Sequence, residues 1–197
     1  MIRVGLLGTG RIGSLHAENI ASHRESTLDA VADIDDESAN NLAVQFGAIV
    51  QSADEIISDP NIDAILIATS TDTHSDFIEK ASSAGKAILC EKPVDLNLTR
   101  AKKCLDKVSS TKKPIMVGFN RRFDPNFAQL KKSLDNGEIG NRELLTITSF
   151  DPAPPPISYV KRSGGLYRDM MIHDFDLSNY IMGELPISIS AVGHSLV

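Results

Sequence analysis

The stretch Gly8-Thr9-Gly10-Arg11-Ile12-Gly13 decides the fold, because it sets three glycines in a GxGxxG pattern directly after an apolar run. Gly8 suits a tight turn, Gly10 lets the backbone approach a pyrophosphate, and Gly13 permits close packing of a helix on a strand. The helix that begins here offers free N–H groups and a partial positive charge to phosphates. We therefore predict that this turn binds a dinucleotide through Gly8, Gly10, Arg11, Ile12 and Gly13.

A second apolar run, residues 28–32, ends at Asp33, which lies 20 residues beyond Gly13. A carboxylate at that place accepts hydrogen bonds from the adenosine ribose diol and repels a 2′-phosphate, so the sequence favours NAD over NADP. The next residue is Ile34, so no arginine stands there to receive a phosphate. The alternative is a glycine-rich turn followed by an aspartate that only caps the next helix.

Short apolar runs alternate with helical spacing through the first 118 or so residues. The runs cover residues 2–7, 27–32, 64–68, 86–90 and 115–117. Such alternation predicts βαβ units with right-handed crossovers, and hence a parallel sheet with helices on both faces. We assign residues 1–119 to an α/β domain of the Rossmann type, with a doubly wound parallel sheet.

The pattern changes after Phe119. It predicts a helix over 124–136, a strand near 144–149, a proline-rich turn over 151–156, a helix over 167–182 and a strand over 186–197. Residues 120–197 are therefore expected to begin an α+β domain. This domain is expected to be incomplete, because a final apolar strand without a neighbour leaves its hydrogen-bonding groups unpaired.

Composition narrows the function classes. The 197 residues carry a formal net charge of −6 and are 42% hydrophobic, which is typical of a globular protein and excludes disordered, collagen-like and coiled-coil classes. The acidic balance disfavours nucleic-acid and anionic-membrane partners. No leader peptide or membrane-spanning run is expected, and Cys90 and Cys104 lack a CxxC pattern. We expect small-molecule chemistry in the reducing cytoplasm.

A third cofactor segment, Ala68-Thr69-Ser70-Thr71-Asp72-Thr73-His74, follows the 64–68 run. Small hydroxyl residues at the carboxyl end of a strand line the crevice in which dinucleotides bind. Thr69 and Thr71 are therefore predicted to contact the cofactor. For His74 two interpretations stay open: it approaches the cofactor, or it makes local hydrogen bonds in the first turn of a helix.

The tripeptide Glu91-Lys92-Pro93 ends the 86–90 run, at the sheet edge where a nicotinamide would lie. A lysine ammonium there can hydrogen-bond a substrate hydroxyl and stabilise the alkoxide that forms as hydride leaves. The alternative is a surface lysine that pairs with Glu91.

A second group of chemical residues lies within the predicted helix over 167–182. Asp169, His173 and Asp176 are spaced i, i+4 and i+7, which places them on one helix face. Histidine suits proton abstraction near neutral pH, and an adjacent carboxylate orients its ring, so His173 is the candidate general base. A divalent metal site and a structural His–Asp pair are the alternatives. No metal is expected, because Lys92 already serves a hydride reaction.

With these motifs and Gly118-Phe119-Asn120-Arg121-Arg122-Phe123-Asp124 in order, the chain resembles the glucose-fructose oxidoreductase/inositol dehydrogenase/rhizopine catabolism (GFO/IDH/MocA) family over essentially its whole length. The E-K-P tripeptide with a downstream D-x-x-x-H is the more specific part of this resemblance. It implies a catalytic trio of Lys92, Asp169 and His173, with Glu91 at the cofactor and Arg121 near the substrate.

The resemblance also implies the reaction. His173 would take a hydroxyl proton with support from Asp169, Lys92 would orient the hydroxyl, and hydride would pass to NAD. The motifs look closest to bacterial myo-inositol 2-dehydrogenases, so the expected reaction converts myo-inositol to 2-keto-myo-inositol. Another NAD(P)-dependent sugar dehydrogenase or reductase, and a dinucleotide-binding sensor without chemistry, are the alternatives.

Two departures from the family pattern affect these expectations. Residues 146–151 lack the histidine with which some inositol dehydrogenases contact substrate, so the polyol stays open. The resemblance also implies that residues 120–197 begin an open-sheet substrate domain. Family members continue beyond the present end, with further strands of that sheet, substrate residues and the oligomer interface. We therefore expect this chain to be a fragment of a homo-oligomer, a dimer or tetramer assembled through the second domain.

Overall fold

The computed structural model describes residues 1–151, 153–155, 157, 160 and 163–194. The chain divides into two compact units, Met1–Gly118 and Phe119–Val197. The first unit is built on a sheet, whereas the described residues of the second unit form helices and segments without regular secondary structure.

The first unit contains a six-stranded parallel sheet, as the alternating sequence pattern predicts. Its strands are β1 (Ile2–Leu7), β2 (Ser26–Ala32), β3 (Ile49–Val50), β4 (Ala64–Ile67), β5 (Ala87–Cys90) and β6 (Ile115–Val117). They lie in the order β3-β2-β1-β4-β5-β6, and each neighbouring pair is parallel. The strand order reverses between β1 and β4, and ligands of such sheets bind at the carboxyl edge beside this reversal. This confirms the Rossmann-type fold.

Five helices cover the two faces of the sheet. They are α1 (Arg11–Ser22), α2 (Asp36–Phe46), α3 (Ala53–Ser58), α4 (His74–Ser83) and α5 (Leu98–Val108). Successive strand residues point to opposite faces, so Leu6 joins an apolar cluster with α1 and α2, whereas Leu7 joins a second cluster with α3, α4 and α5. The two cores hold the strand ends in fixed register.

The short strand β3 is absent from the sequence prediction. Ile49 and Val50 are exposed and form only two residues of strand beside β2. Two residues are too few to show the period of a strand. Local caps on either side are clear: the Asp35 side chain accepts N–H bonds at the start of α2, and Ser52 and Glu55 form a capping box on α3.

The described residues of the second unit include a 3₁₀ turn over Asn120–Phe123 and the α-helices α6 (Pro125–Asp135), α7 (Gly165–Asp169) and α8 (Met171–Met182). The Asp124 side chain accepts N–H bonds from Asn126 and Phe127 at the start of α6, where proline is also favourable. Leu177 on α8 is buried. None of the helices formed by described residues, in either unit, is long and apolar enough to cross a membrane.

Three predictions for this unit need correction. No strand forms over 144–149 or 186–194 in the described part of the chain, because a strand needs a neighbour to complete its hydrogen bonds, and Ile187 is fully exposed. The predicted helix over 167–182 is interrupted at Met170. Residues 195–197 of the last predicted strand, and Pro152 and Pro156 of the proline turn, lie outside the described residues.

Candidate active site

The glycine turn packs three strand ends against one another. Gly8 has a φ of +95°, and a Cβ atom there would lie 2.4 Å from the carbonyl oxygen of Ala68, just beyond β4. The Gly8 N–H donates to the carbonyl of Ala32 at the end of β2 (2.8 Å). A Cβ atom at Gly13 would lie 2.0 Å from the Gly8 carbonyl oxygen. Both positions therefore require glycine.

The start of α1 fits a pyrophosphate. Gly10 is its N-cap residue, no side chain caps the exposed N–H groups, and the first turn contains no acidic residue. A Cβ atom at Gly10 would meet nothing within 4 Å, so the space in front of the turn is open. Uncapped N–H groups and the positive end of the helix dipole favour phosphate there.

Asp33 stands beside this turn. One carboxylate oxygen accepts the Thr9 N–H (2.6 Å) and Thr9 hydroxyl (3.1 Å), and the other accepts the Asp35 N–H (3.0 Å). Partial burial raises the pKa of Asp33, but these hydrogen bonds outweigh it and hold the pKa below its ordinary value. A cavity of about 320 Å³ adjoins the group, lined in part by Thr9, Ser14 and Ser38. A charged carboxylate with spare acceptor sites fits a ribose diol.

The threonines after β4 also lie at the carboxyl edge of the sheet. The Thr69 and Thr73 hydroxyls are 2.6 Å apart, and Thr71 opens a short 3₁₀ turn over Thr71–Thr73. Thr69 and Thr71 are half-buried. Their contact with a cofactor stays a prediction.

His74 begins α4 and is buried. Its Nδ1 lies 2.8 Å from the carbonyl oxygen of Pro93, and its Nε2 lies 3.0 Å from the carbonyl oxygen of Thr69. Both ring nitrogens are thus used inside the protein. This placement corresponds to the alternative of local hydrogen bonding and argues against contact between the ring and a cofactor.

The E-K-P tripeptide follows β5 directly. The Glu91 carboxylate lies 2.7 Å from Nε2 of His16, a residue of α1. Burial raises the pKa of Glu91, but the hydrogen bond and charge of His16 together with the N–H and charge of Lys92 outweigh it, so the pKa lies below its ordinary value. Lys92 is half-buried, and its peptide bond to Pro93 is cis. Lys92 therefore stands at the carboxyl edge of β5, as predicted, while Glu91 contacts α1.

In the second unit, Asp169 ends α7 and His173 lies in the first turn of α8; both are half-buried. Because the helix is interrupted at Met170, the two residues do not share one regular helix face. Asp176 accepts a hydrogen bond from Nε of Arg122 (2.8 Å). The described residues contain no group of three or more His, Cys, Asp or Glu side chains that could hold a metal ion.

Arg121 is also held within the second unit. Its guanidinium donates to the carboxylate of Asp174, which accepts the Ser149 hydroxyl as well (2.7 Å). Arg121, Phe127 and Ser149 line part of a cavity of about 360 Å³. Arg121 therefore faces a cavity and is not an isolated surface charge.

Two family profiles match the chain. One, described as the oxidoreductase family with an NAD-binding Rossmann fold, covers residues 2–119, and the other, the GFO/IDH/MocA C-terminal domain, covers residues 127–197. The chain belongs to the GFO/IDH/MocA oxidoreductase family. Its first unit is accordingly the family's NAD-binding domain.

Individual members of the GFO/IDH/MocA family agree with this assignment. The chain is 50% identical over 196 residues to the inositol 2-dehydrogenase of Rhizobium meliloti, covering 100% of this chain and 59% of that protein. It is similar to a crystal structure of myo-inositol dehydrogenase from Corynebacterium glutamicum, with 43% identity, a TM-score of 0.88, and 92% of this chain and 55% of that chain covered. It also resembles scyllo-inositol dehydrogenase from Lactobacillus casei with bound NAD(H) and scyllo-inositol, with 31% identity, a TM-score of 0.78, and 93% and 56% covered.

Sequence reasoning missed three polar residues of this GFO/IDH/MocA chain. They are His16, Ser149 and Asp174. His16 lies three residues after Gly13 on the same helix, and Asp174 lies next to His173. Sequence reasoning had no signal for His16 and Asp174 beyond these neighbouring positions, because neither residue belongs to a recognisable motif. The structure shows their partners, Glu91 and Arg121.

Proposed function

We propose that the whole protein oxidises a polyol hydroxyl with NAD as an inositol 2-dehydrogenase, converting myo-inositol to 2-keto-myo-inositol. The observation that carries this proposal is the position of Lys92 just beyond β5, in a unit whose glycine turn and Asp33 fit NAD. The names of the Rhizobium meliloti and Corynebacterium glutamicum relatives support the substrate. The chain spans 59% of the length of the first of these, so the proposal concerns the whole protein.

The cofactor contacts follow from the first unit. The turn residues Gly8, Gly10, Arg11, Ile12 and Gly13 would hold the pyrophosphate, and Asp33 the adenosine ribose. Thr69 and Thr71 would lie along the crevice toward the nicotinamide. The charge on Asp33 repels a 2′-phosphate, which favours NAD over NADP.

The chemistry divides between three side chains. Lys92 donates a hydrogen bond to the substrate hydroxyl oxygen and stabilises the negative charge that develops there. His173 takes the hydroxyl proton, and Asp169 stabilises the imidazolium that results. NAD, when bound, supplies the acceptor for the hydride that leaves the carbinol carbon, so the alcohol becomes a ketone. Arg121 would bind another hydroxyl of the polyol.

Absorbance at 340 nm tests this proposal. The 197-residue chain and a version extended by its native downstream residues are each mixed with NAD and myo-inositol or scyllo-inositol, with a Lys92→Ala variant as control. We expect reduction of NAD by the extended protein and loss of that activity in the variant. Binding of NAD without reduction by either protein, with either inositol, would overturn the proposal in favour of a sensor.

We also propose that the whole protein is a cytoplasmic homo-oligomer, a dimer or tetramer joined through its second unit. Exposed apolar side chains such as Leu185, Ile187 and Ile189 support assembly. The free, buried thiols of Cys90 and Cys104 support a reducing compartment. Light scattering on the extended protein checks the assembly: a monomer at micromolar concentration would contradict it.

A further inference from the structure

The residues on either side of Lys92 are each held by a histidine. His16, on α1, lies 2.7 Å from the carboxylate of Glu91. His74, at the start of α4, lies 2.8 Å from the carbonyl oxygen of Pro93. Two helices that flank opposite faces of the sheet thus hold the same three-residue segment. The proposed chemistry assigns no role to either ring.

The contact through His74 is sheltered from water. The ring is 1% exposed, and both of its nitrogens face carbonyl oxygens, which can only accept hydrogen bonds. An imidazole donates from one nitrogen when neutral and from both when protonated. The next residue of α4 adds a second hydrogen bond to this segment, because the Ser75 hydroxyl donates to the carbonyl of Val94 (3.1 Å). The chain just after Lys92 is therefore fixed to the start of α4.

The contact through His16 is less enclosed, since the His16 and Glu91 side chains are each 21% exposed. A Cβ atom at Gly118 would lie 3.1 Å from the Glu91 carboxylate, which is a tight contact, so the carboxylate lies close against the backbone at the end of β6. The Gly118 N–H also donates to the carbonyl of Cys90 (2.8 Å). The chain just before Lys92 is therefore fixed to α1 and β6.

We propose that His16 and His74 are positioning residues for Lys92: they fix the two residues beside it and so fix the origin of its flexible side chain. This inference rests on the proposed role of Lys92 in orienting the substrate hydroxyl. A lysine side chain has several rotatable bonds, so its ammonium is placed accurately only when its backbone cannot shift. A displacement of about 1 Å at a reacting group can cost about a hundredfold in rate.

Asparagine and glutamine variants separate positioning from simple packing. The Asn side-chain nitrogen lies close to the place of imidazole Nδ1, and the Gln nitrogen close to that of Nε2. His74→Asn therefore keeps the donor to Pro93, whereas His74→Gln keeps only the donor to Thr69. For His16, which bonds through Nε2, the order is reversed: His16→Gln keeps the donor to Glu91 and His16→Asn loses it.

We expect glutamine to be the harmful substitution at His74 and asparagine to be the harmful one at His16. In the extended protein, His74→Gln and His16→Asn should lower kcat for inositol oxidation about tenfold, while His74→Asn and His16→Gln stay close to the wild type. His23→Gln, on the exposed histidine that follows α1, serves as the matched control. A melting curve for each variant shows whether it is folded. If the variants of one histidine do not fold, the Asn and Gln variants of the other histidine still give the test.

A second measurement does not depend on turnover. The rate at which an acylating reagent modifies Lys92 is followed by mass spectrometry, relative to the exposed Lys102 and Lys103 of α5. We expect a faster reaction at Lys92 in His74→Gln and His16→Asn only. Equal rates within each Asn/Gln pair would overturn the inference. Absence of inositol turnover in every protein would contradict the proposed function, and the Lys92 rates would still decide the positioning role.

Discussion

The two units of this chain differ in the interactions that stabilise each of them internally. In the first unit every strand pairs with a neighbour, and each face of the sheet is closed by an apolar cluster. In the described part of the second unit, the buried apolar side chains are Leu177 and Ile181. Charge pairs join its 3₁₀ turn over Asn120–Phe123 to α8: Arg121 pairs with Asp174, and Arg122 pairs with Asp176.

This difference has a consequence for stability. Burial of apolar surface is the main favourable contribution to folding, whereas a partly exposed ion pair contributes about 0–1 kcal/mol. The first unit therefore has the means to fold by itself, and the second unit should be the less stable of the two.

The largest effect is expected from His173→Ala in the extended protein. Loss of the general base should lower kcat for inositol oxidation by about 10²–10⁴-fold. NAD affinity, measured by isothermal titration, should stay unchanged, because the proposed cofactor residues all belong to the first unit. A variant that loses NAD binding along with turnover would contradict this division between the units.

A pair of isoleucine truncations compares a core side chain of the first unit with an exposed side chain of the second. Ile67→Ala removes a fully buried side chain of β4 and should lower the unfolding free energy by about 2–5 kcal/mol. Ile187→Ala removes a fully exposed side chain and should change it by about 0.5 kcal/mol or less. Urea unfolding measures both. Equal destabilisation by the two changes would mean that burial of apolar side chains is not what stabilises the first unit.

Gly13→Ala tests the close approach of α1 to β1. The new Cβ atom would meet the Gly8 carbonyl oxygen, so the turn must shift, at a cost of about 1–3 kcal/mol. We expect weaker NAD binding and a lower melting temperature. Gly193→Ala, in the second unit, places its Cβ atom in open space and is the control. If both variants bind NAD like the wild type, the packing argument for Gly13 fails.

The smallest effect concerns pH. Because the folded-state pKa of Asp33 lies below its ordinary value of 3.8, its contribution to stability is present above that pH and is lost as the pH falls further. Melting temperatures of the wild type and of Asp33→Asn should therefore differ at neutral pH and converge below about pH 4. A gap between the two melting curves that stays constant down to pH 2 would rule out this contribution.

Much of the first unit was predictable from local sequence. The glycine turn, the apolar runs and Asp33 each express a requirement of a few neighbouring residues, and five of the six strands follow from them. The exception, β3, has two exposed residues and no period. Strands near 144–149 and 186–197 were predicted from the same kind of apolar run. A strand also needs a neighbouring strand to pair with, and an apolar run does not show whether one is present.

The candidate site was predictable only in part. The position of Lys92 follows from the end of an apolar run, so sequence places it well. The contacts of Glu91 with His16 and of Pro93 with His74 join residues far apart in the chain. They depend on which helices flank β5, and this follows from the order of the strands in the sheet. The i, i+4 spacing of Asp169 and His173 failed to anticipate the break at Met170.

Because all six strands run in the same direction, the sheet has a carboxyl end and an amino end, and a label can be attached at one without touching the other. Lys92 and the proposed cofactor contacts lie at the carboxyl ends of the strands. The loop over 109–114 precedes β6 and therefore lies at the opposite, amino end of the sheet. Ser110 is exposed there. A dye attached at a cysteine introduced by Ser110→Cys would sit remote from NAD, and would report melting of the sheet without disturbing the chemistry.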